Sequence, residues 1–283
     1  MLAGPSPEAL IGPIAAATAQ IRVGSGGVML PYYSPLKVAE TFSVLAGLFP
    51  GRIDLGLGRA PGTDPMTAFA LQRDRRQLPP EDFPQQLAEL LGYLDGSLPP
   101  DHPFARLART LPGRPDGPEP WLLGSSRDSA LWAAELGLPY AFADFINPRG
   151  AEIAGLYRER FAEHEHAGRP RTAVAVWVIC AATDAEAQRL AASARMTFTL
   201  LRRGQLIPVP PPEKALRFLQ AEDRREPGPN SQRRAVIGAP AAVASQLREV
   251  IAGYGADEAI VVTITYEHEA RMRSYELLAE AWG

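Results

Sequence analysis

The chain has almost no cysteine and almost no lysine. Cys180 is the only cysteine in 283 residues, so no internal disulfide can form. It lies in the apolar run 174–182, where a thiol serves as core filler in a reducing cytoplasm. Lys37 and Lys214 are the only lysines; arginine carries nearly all the positive charge, and the formal net charge is −3. No basic excess exists to recruit nucleic acid or an anionic membrane. No apolar run approaches the roughly 20 residues that cross a bilayer. No basic stretch precedes an apolar one near Met1, so no signal peptide is visible. A Gly-x-Ser-x-Gly elbow, a Walker loop and a cysteine–histidine metal pattern are all missing. His164-Glu165-His166 is spaced too closely to share one helix face, and no metal is expected.

Glycine, by contrast, is concentrated. Val23-Gly24-Ser25-Gly26-Gly27-Val28-Met29-Leu30-Pro31 and Gly51-Arg52-Ile53-Asp54-Leu55-Gly56-Leu57-Gly58-Arg59 both read as buried strands. Glycine weakens an ordinary strand, because it packs nothing and loses more chain entropy than any other residue. Several of them in successive strands point to a backbone that something must approach closely, such as a flat cofactor.

Strand-like and helix-like segments alternate along the chain, the pattern of a parallel α/β sheet. Ser6-Pro7 forms a helix start with a capping serine, and Pro13 is expected to kink that helix. Strands are expected at about 20–30, 52–58, 120–124, 139–143, 172–181, 235–238 and 258–264. Val38, Phe42, Leu45 and Leu48 stand at helical spacing between the first two. Further helices are expected near 84–96, 126–137, 150–167, 184–202, 240–253 and 269–281. Residues 59–83 and 97–118 read as irregular. Residues 204–232, with Pro208, Pro210, Pro211, Pro212, Pro227 and Pro229, read as an insertion or mobile lid within a single domain spanning 1–283.

Several motifs carry a family resemblance. They are the two glycine-rich strands just quoted, Ser34-Pro35-Leu36-Lys37-Val38-Ala39-Glu40, the continuation Arg59-Ala60-Pro61-Gly62, Trp121-Leu122-Leu123-Gly124-Ser125-Ser126, and Tyr266-Glu267-His268-Glu269-Ala270-Arg271. In this order the chain resembles the bacterial luciferase-like flavin monooxygenases, in their group of single-chain oxidoreductases. The resemblance implies a (β/α)8 TIM-barrel type of fold. It begins at the second helix, so the expected barrel is incomplete, with six main parallel strands and the first two missing. In such barrels the chemistry sits at the C-terminal ends of the strands.

The resemblance also implies a flavin site. It assigns the flavin phosphate to the turn of Gly124, Ser125, Ser126 and Ser129, where a strand enters a helix. A helix N-terminus offers unpaired N–H groups and a positive dipole end, which suit a phosphate. The same residues also suit a plain helix cap, with Ser125 capping and Asp128 three residues on. Arg59 is implied near the phosphate, or else it is an ordinary surface arginine. Gly26-Gly27 matches a position that in the family carries a non-proline cis peptide beneath the flavin ring; a simple β-bulge would use the same glycines. Tyr32, Tyr33, Tyr266 and His268 stand near strand ends and are candidates for a substrate pocket, or for packing. Asp54 is implied to be structural.

The function expected is that of a cytoplasmic flavin-dependent monooxygenase. It would use reduced FMN, supplied by a separate flavin reductase, and O2 on a small organic substrate. The catalytic residues are not identified from sequence. A deazaflavin-dependent hydride-transfer enzyme is the nearest alternative. A non-catalytic or truncated relative with an incomplete flavin site is the other. Open sheet edges left by missing strands would favour a homodimer.

Overall fold

A computed structural model describes residues 6–59, 65–71, 82–113, 115–147, 149–163, 168–223 and 235–283. The motif residues Ala60, Pro61 and Gly62, the pair His164 and His166, and Pro227 and Pro229 lie outside that set. The chain divides into two compact units, Met1–Gly124 with Trp132–Tyr140, and Ser125–Leu131 with Ala141–Gly283.

In the first unit the elements are α1 (Pro7–Ala16), β1 (Val23–Met29), α2 (Pro35–Leu48), β2 (Ile53–Gly58), α3 (Pro65–Leu71), α4 (Phe83–Asp95), α5 (Ala105–Ala108) and β3 (Glu119–Gly124). The strands are parallel in the order β1-β2-β3. Helix α1 runs through Pro13 without a break. Ser6 does not cap it: the residue sits in the left-handed region at φ 48° and its side chain makes no cap bond. The other end is closed from a distance. Arg52 donates to the carbonyls of Ala15 (3.1 Å), Thr18 (2.9 Å) and Ile21 (2.9 Å) and to the Thr18 hydroxyl (2.7 Å). A planar guanidinium with five N–H donors can serve several acceptors at once, which an ammonium on a flexible stem cannot match.

Helix α2 shows how spacing misleads by one turn. Val38, Phe42 and Leu45 are buried as expected, but Leu48 is 66% exposed. Leu48 is the last residue of the helix. Helix α4 ends on Gly96 in the left-handed conformation, the usual glycine stop.

The second unit begins with the N-terminal turn of α6 (Arg127–Glu135) and continues through β4 (Tyr140–Ala143), α7 (Gly150–Glu163), β5 (Thr172–Cys180), α8 (Asp184–Arg202), α9 (Pro212–Asp223), β6 (Ala235–Gly238), α10 (Pro240–Tyr254), β7 (Glu258–Val262) and α11 (His268–Trp282). Both β6 and β7 pair with β5 in parallel, β6 along Trp177–Cys180 and β7 along Ala173–Trp177. Strand β5 is apolar from Ala173 to its end, as a strand buried on both sides requires. The parallel α/β fold of barrel type expected from the sequence is the fold observed.

The proline-rich stretch 204–232 behaves differently from the expectation over its described part. Residues 212–223 form α9, which starts on Pro212. Ala215 joins Ala192, Met196 and Leu200 of α8 in one buried cluster, flanked by Ile207, Leu216, Phe218 and Leu219. Proline at a helix start costs nothing, because the first turn has no N–H partner to lose. Pro212, within the stretch expected as an insertion or mobile lid, therefore marks the beginning of a packed helix. Arg189 of α8 closes the contact through Glu186 and through Glu213 at 2.6 Å.

Two predictions follow from this packing. Phe42→Ala should destabilise the chain by about 3–5 kcal/mol, the usual cost of emptying a buried aromatic site. Leu48→Ala should stay within about 0.5 kcal/mol of the parent. Denaturant unfolding of the two variants checks the contrast.

Asp257 generates the other. Its backbone N–H donates to Thr172 O (2.8 Å), its carboxylate accepts from the Thr172 N–H (2.9 Å), and Arg169 pairs with it at 2.5 Å. Partial burial pushes the carboxyl up, but the Thr172 N–H and Arg169 outweigh it and hold the group below its usual value. A carboxyl depressed in the folded state stabilises above its ordinary value of about 4 and loses that contribution as the pH falls through and below it. Asp257→Asn should therefore be less stable than the parent at neutral pH, and the gap should shrink on acidification. Thermal midpoints between pH 7 and pH 3, read against that ordinary value of about 4, measure it.

Candidate functional site

The glycines of β1 do not all answer to the same demand. A Cβ on Gly24 would sit 2.5 Å from Asp54 O, and one on Gly27 would sit 2.6 Å from Gly56 O. On Gly56 it would sit 2.1 Å from Ser25 O. These three are glycine because β1 and β2 approach too closely for any side chain. Ser25 fixes the approach further, its hydroxyl donating to Gly56 O at 2.9 Å. Gly26 is the exception: a Cβ there meets nothing within 4 Å. The Gly26–Gly27 peptide is cis. The register between β1 and β2 also shifts between Gly26 and Val28. The cis bond and the bulge, read from sequence as alternatives, occur together.

Arg59 leaves the end of β2 and lies over the ring of Trp132, 5.2 Å from its centroid. Trp132 in turn packs against Phe83 at 5.5 Å. The guanidinium is thus held on an aromatic face, a favourable electrostatic arrangement. Asp54, expected to be structural, is gripped by Arg22, whose Nε reaches both carboxylate oxygens (3.2 and 3.1 Å) while a terminal nitrogen reaches one at 2.6 Å and Glu119 at 2.8 Å.

After Gly124 the chain turns into α6 on a reciprocal pair of serines. The Ser129 N–H donates to Ser126 Oγ (3.3 Å), and the Ser126 N–H donates to Ser129 Oγ (3.4 Å). The Ser129 hydroxyl also donates to Ser126 O (2.8 Å). This is a capping box with serine at its third position. The cap is Ser126, one residue later than the sequence pattern indicated, and Ser129 rather than Asp128 closes it. Ser125 contributes its carbonyl instead, which accepts from Asn147 Nδ2 at 2.9 Å. Asn147 Oδ1 accepts from the Arg149 N–H at 3.1 Å.

Asn147 was not singled out by sequence reasoning. Its signal was there: Asn147-Pro148 lies in the loop shortly after an expected strand, a common turn dipeptide in which the asparagine bonds the backbone two residues on. Three aromatic rings were also missed. Trp177 of β5 stacks on Phe145 (4.9 Å) and on Phe198 of α8 (3.8 Å), and all three are half-buried. They come from a strand, a loop and a helix far apart in sequence, so no local pattern joins them.

The pocket candidates resolve into separate settings. Tyr33 donates to Glu8 at 3.4 Å; burial first, and then the Glu8 carboxylate, push its phenol above the ordinary value. Tyr32 ends a short 3-10 turn, and burial raises it as well. Tyr266 is exposed, and His268 pairs its Nδ1 with Arg271 at 2.9 Å on the surface. Cys180 is buried and burial pushes its thiol up, so it is poorly suited to act as a thiolate. Among the described residues no cluster of histidine, cysteine or carboxylates could hold a metal, and no helix is long and apolar enough to cross a membrane.

The chain is similar to known proteins in sequence and in fold. Residues 2–258 match the family model of luciferase-like monooxygenases. The uncharacterised protein YwcH of Bacillus subtilis (strain 168) is 46% identical over 100% of this chain and 85% of its own length. An N-acetyl-S-alkylcysteine monooxygenase of the same organism is 35% identical, over 99% of this chain and 83% of its own length. The crystal structure of apo-MsnO8 superposes with a TM-score of 0.84 at 42% identity, covering 98% of this chain and 82% of that one.

The two kinds of glycine give a direct test. Gly27→Ala and Gly56→Ala should each cost about 1–3 kcal/mol or more, because backbone must move to admit the methyl group. Gly26→Ala should stay within about 0.5 kcal/mol. Chemical denaturation of the three variants distinguishes glycine required by strand packing from glycine left open.

Proposed function

The chain belongs to the luciferase-like monooxygenase family, and from that premise we propose that it binds reduced FMN and uses O2 to oxygenate a small organic substrate. The observation that carries the FMN reading is the serine turn at the end of β3. It combines a helix N-terminus, two hydroxyls and a backbone N–H within a few ångströms. This donor set fits a terminal phosphate dianion, which accepts several hydrogen bonds at once. Gly124, Ser125, Ser126 and Ser129 would hold that phosphate. Arg59 would add a positive charge at the end of β2. Gly26, the glycine that strand packing leaves open, together with Gly27 would admit the flat ring against bare backbone.

When bound, the flavin supplies the activation of oxygen. The protein's own part is to bind, orient and keep water out. That division explains why a chain without a nucleophilic serine, an activated thiol or a metal cluster among its described residues can be an enzyme. The stacked Phe145, Trp177 and Phe198 offer an aromatic surface for an apolar substrate. The 35% identical relative, by its name, acts on an N-acetyl-S-alkylcysteine, and a small thioether is the first substrate to try. A separate reductase would deliver the reduced flavin, and the protein would act as a homodimer in the cytoplasm.

Titration with FMN and with the deazaflavin F420, followed by single-turnover oxidation of N-acetyl-S-alkylcysteine with photoreduced FMN, tests the reading. FMN should bind in preference, and the Ser126→Ala, Ser129→Ala double variant should weaken it by about 1–3 kcal/mol, the value of lost charge-assisted hydrogen bonds. Preference for F420 would overturn the cofactor assignment. Tight FMN binding with no oxygenation of any substrate would favour the non-catalytic alternative.

A further inference from the structure

The serine turn is not free-standing. The carbonyl of its first peptide, Ser125 O, accepts from Asn147, which arrives from the loop after β4, a sequence separation of 22 residues. Its Nδ2 donates to Ser125 O at 2.9 Å and its Oδ1 accepts from the Arg149 N–H at 3.1 Å. Both ends of the amide are used, so the flip state of the side chain is fixed by its partners: the reverse orientation would set an oxygen against a carbonyl and an NH2 against an N–H. The residue is half-buried, so these bonds are partly shielded from water.

The consequence follows from peptide planarity. The Ser125 C=O and the Ser126 N–H belong to one rigid trans unit and point in opposite directions. Fixing the carbonyl on Asn147 therefore fixes the direction of the Ser126 N–H, away from Asn147 and toward the side on which Ser129 Oγ lies, 3.4 Å distant. That N–H is the first backbone donor of the proposed phosphate turn. Its bond to Ser129 Oγ is long, so an anion would displace a weak partner rather than a strong one.

We infer that Asn147 is a positioning residue for the flavin phosphate: it aims the Ser126 N–H by holding the Ser125 carbonyl, without touching the ligand itself. This rests on the phosphate reading above. It also explains the geometry of the loop. The bond from the Arg149 N–H locks the Asn147 side chain, so that its donor is presented to Ser125 at low entropic cost.

The test compares FMN with riboflavin, which has the same ring and no phosphate. Quenching of isoalloxazine fluorescence gives both affinities for the parent, Asn147→Ala, Asn147→Ser and Ser126→Ala. In Asn147→Ser the hydroxyl can still accept from the Arg149 N–H but is too short to reach Ser125 O, so the loop keeps its turn while the tether is lost. For both Asn147 variants FMN affinity should fall about 5- to 10-fold, the effect of one hydrogen bond. Riboflavin affinity should hold within about twofold, the range of a change that touches nothing in the ring site. A general loss of folding would lower both ligands together and would count against the inference. If the parent does not prefer FMN to riboflavin, the phosphate reading itself fails. If Ser126→Ala loses the preference and both Asn147 variants keep it, the phosphate reading stands and the positioning role of Asn147 is overturned.

Discussion

The close approach of β1 to β2 is the constraint on which the rest of the first unit depends. At Gly24, Gly27 and Gly56 the neighbouring backbone stands where a Cβ would have to be, at 2.5, 2.6 and 2.1 Å. Two parallel strands this tightly joined cannot use side chains to set their spacing. Hydrogen bonds do it instead, with the Ser25 hydroxyl on Gly56 O reinforcing the ladder. The price is a stretch with little apolar packing of its own. It is offset by what surrounds it: Val23, Val28, Ile53, Leu55 and Leu57 are all buried, and each fully buried side chain of this size stabilises by roughly 1.5–3 kcal/mol. Strand pairing, bulge and bare backbone thus arise from a single feature. The exception is Gly26, where a Cβ would meet nothing within 4 Å.

Much of this was legible in the sequence. The alternation of strand and helix, and most element boundaries, followed from hydrophobic periodicity and from proline and glycine punctuation. Strand β5 and helix α8 came out nearly residue for residue, because a long buried strand and a capped amphipathic helix each have an unmistakable pattern. The misreadings share a cause. Leu48 fits the helical stripe of α2 but stands at its last residue, and a stripe says nothing about where its target surface ends. The prolines ahead of α9 read as an insertion or mobile lid because a sequence does not say whether a proline lies outside an element or opens it. Ser6 has the chemistry of a cap but adopts a backbone conformation that cannot make one.

The candidate site was legible to a different depth. Its residue types were visible in two short motifs. Their division of labour was not. Gly24, Gly26, Gly27 and Gly56 are alike on paper, and only distances to the neighbouring strand separate those required by packing from the one that is not. Ser125 and Ser126 are adjacent and identical, yet one gives its carbonyl to Asn147 and the other caps the helix. The ring stack of Phe145, Trp177 and Phe198 depends on three elements meeting, so it had no sequence signature at all. Such contacts join residues of long sequence separation, and those are what a linear pattern carries least well.

Arg52 shows the same principle acting on time rather than on space. Helix α1 has no glycine stop and no basic residue in its last turn. The Ala17 N–H and the Thr18 hydroxyl serve Pro13 O and Ile14 O locally, while Ala15 O also accepts from a side chain 37 positions on. During synthesis the helix is made before the arginine that braces the chain leaving it. That brace exists only once the start of β2 has been made. One side chain then ties the helix end and the connection to the strand. The order in which this part of the molecule can become native is thereby written into the reach of one guanidinium.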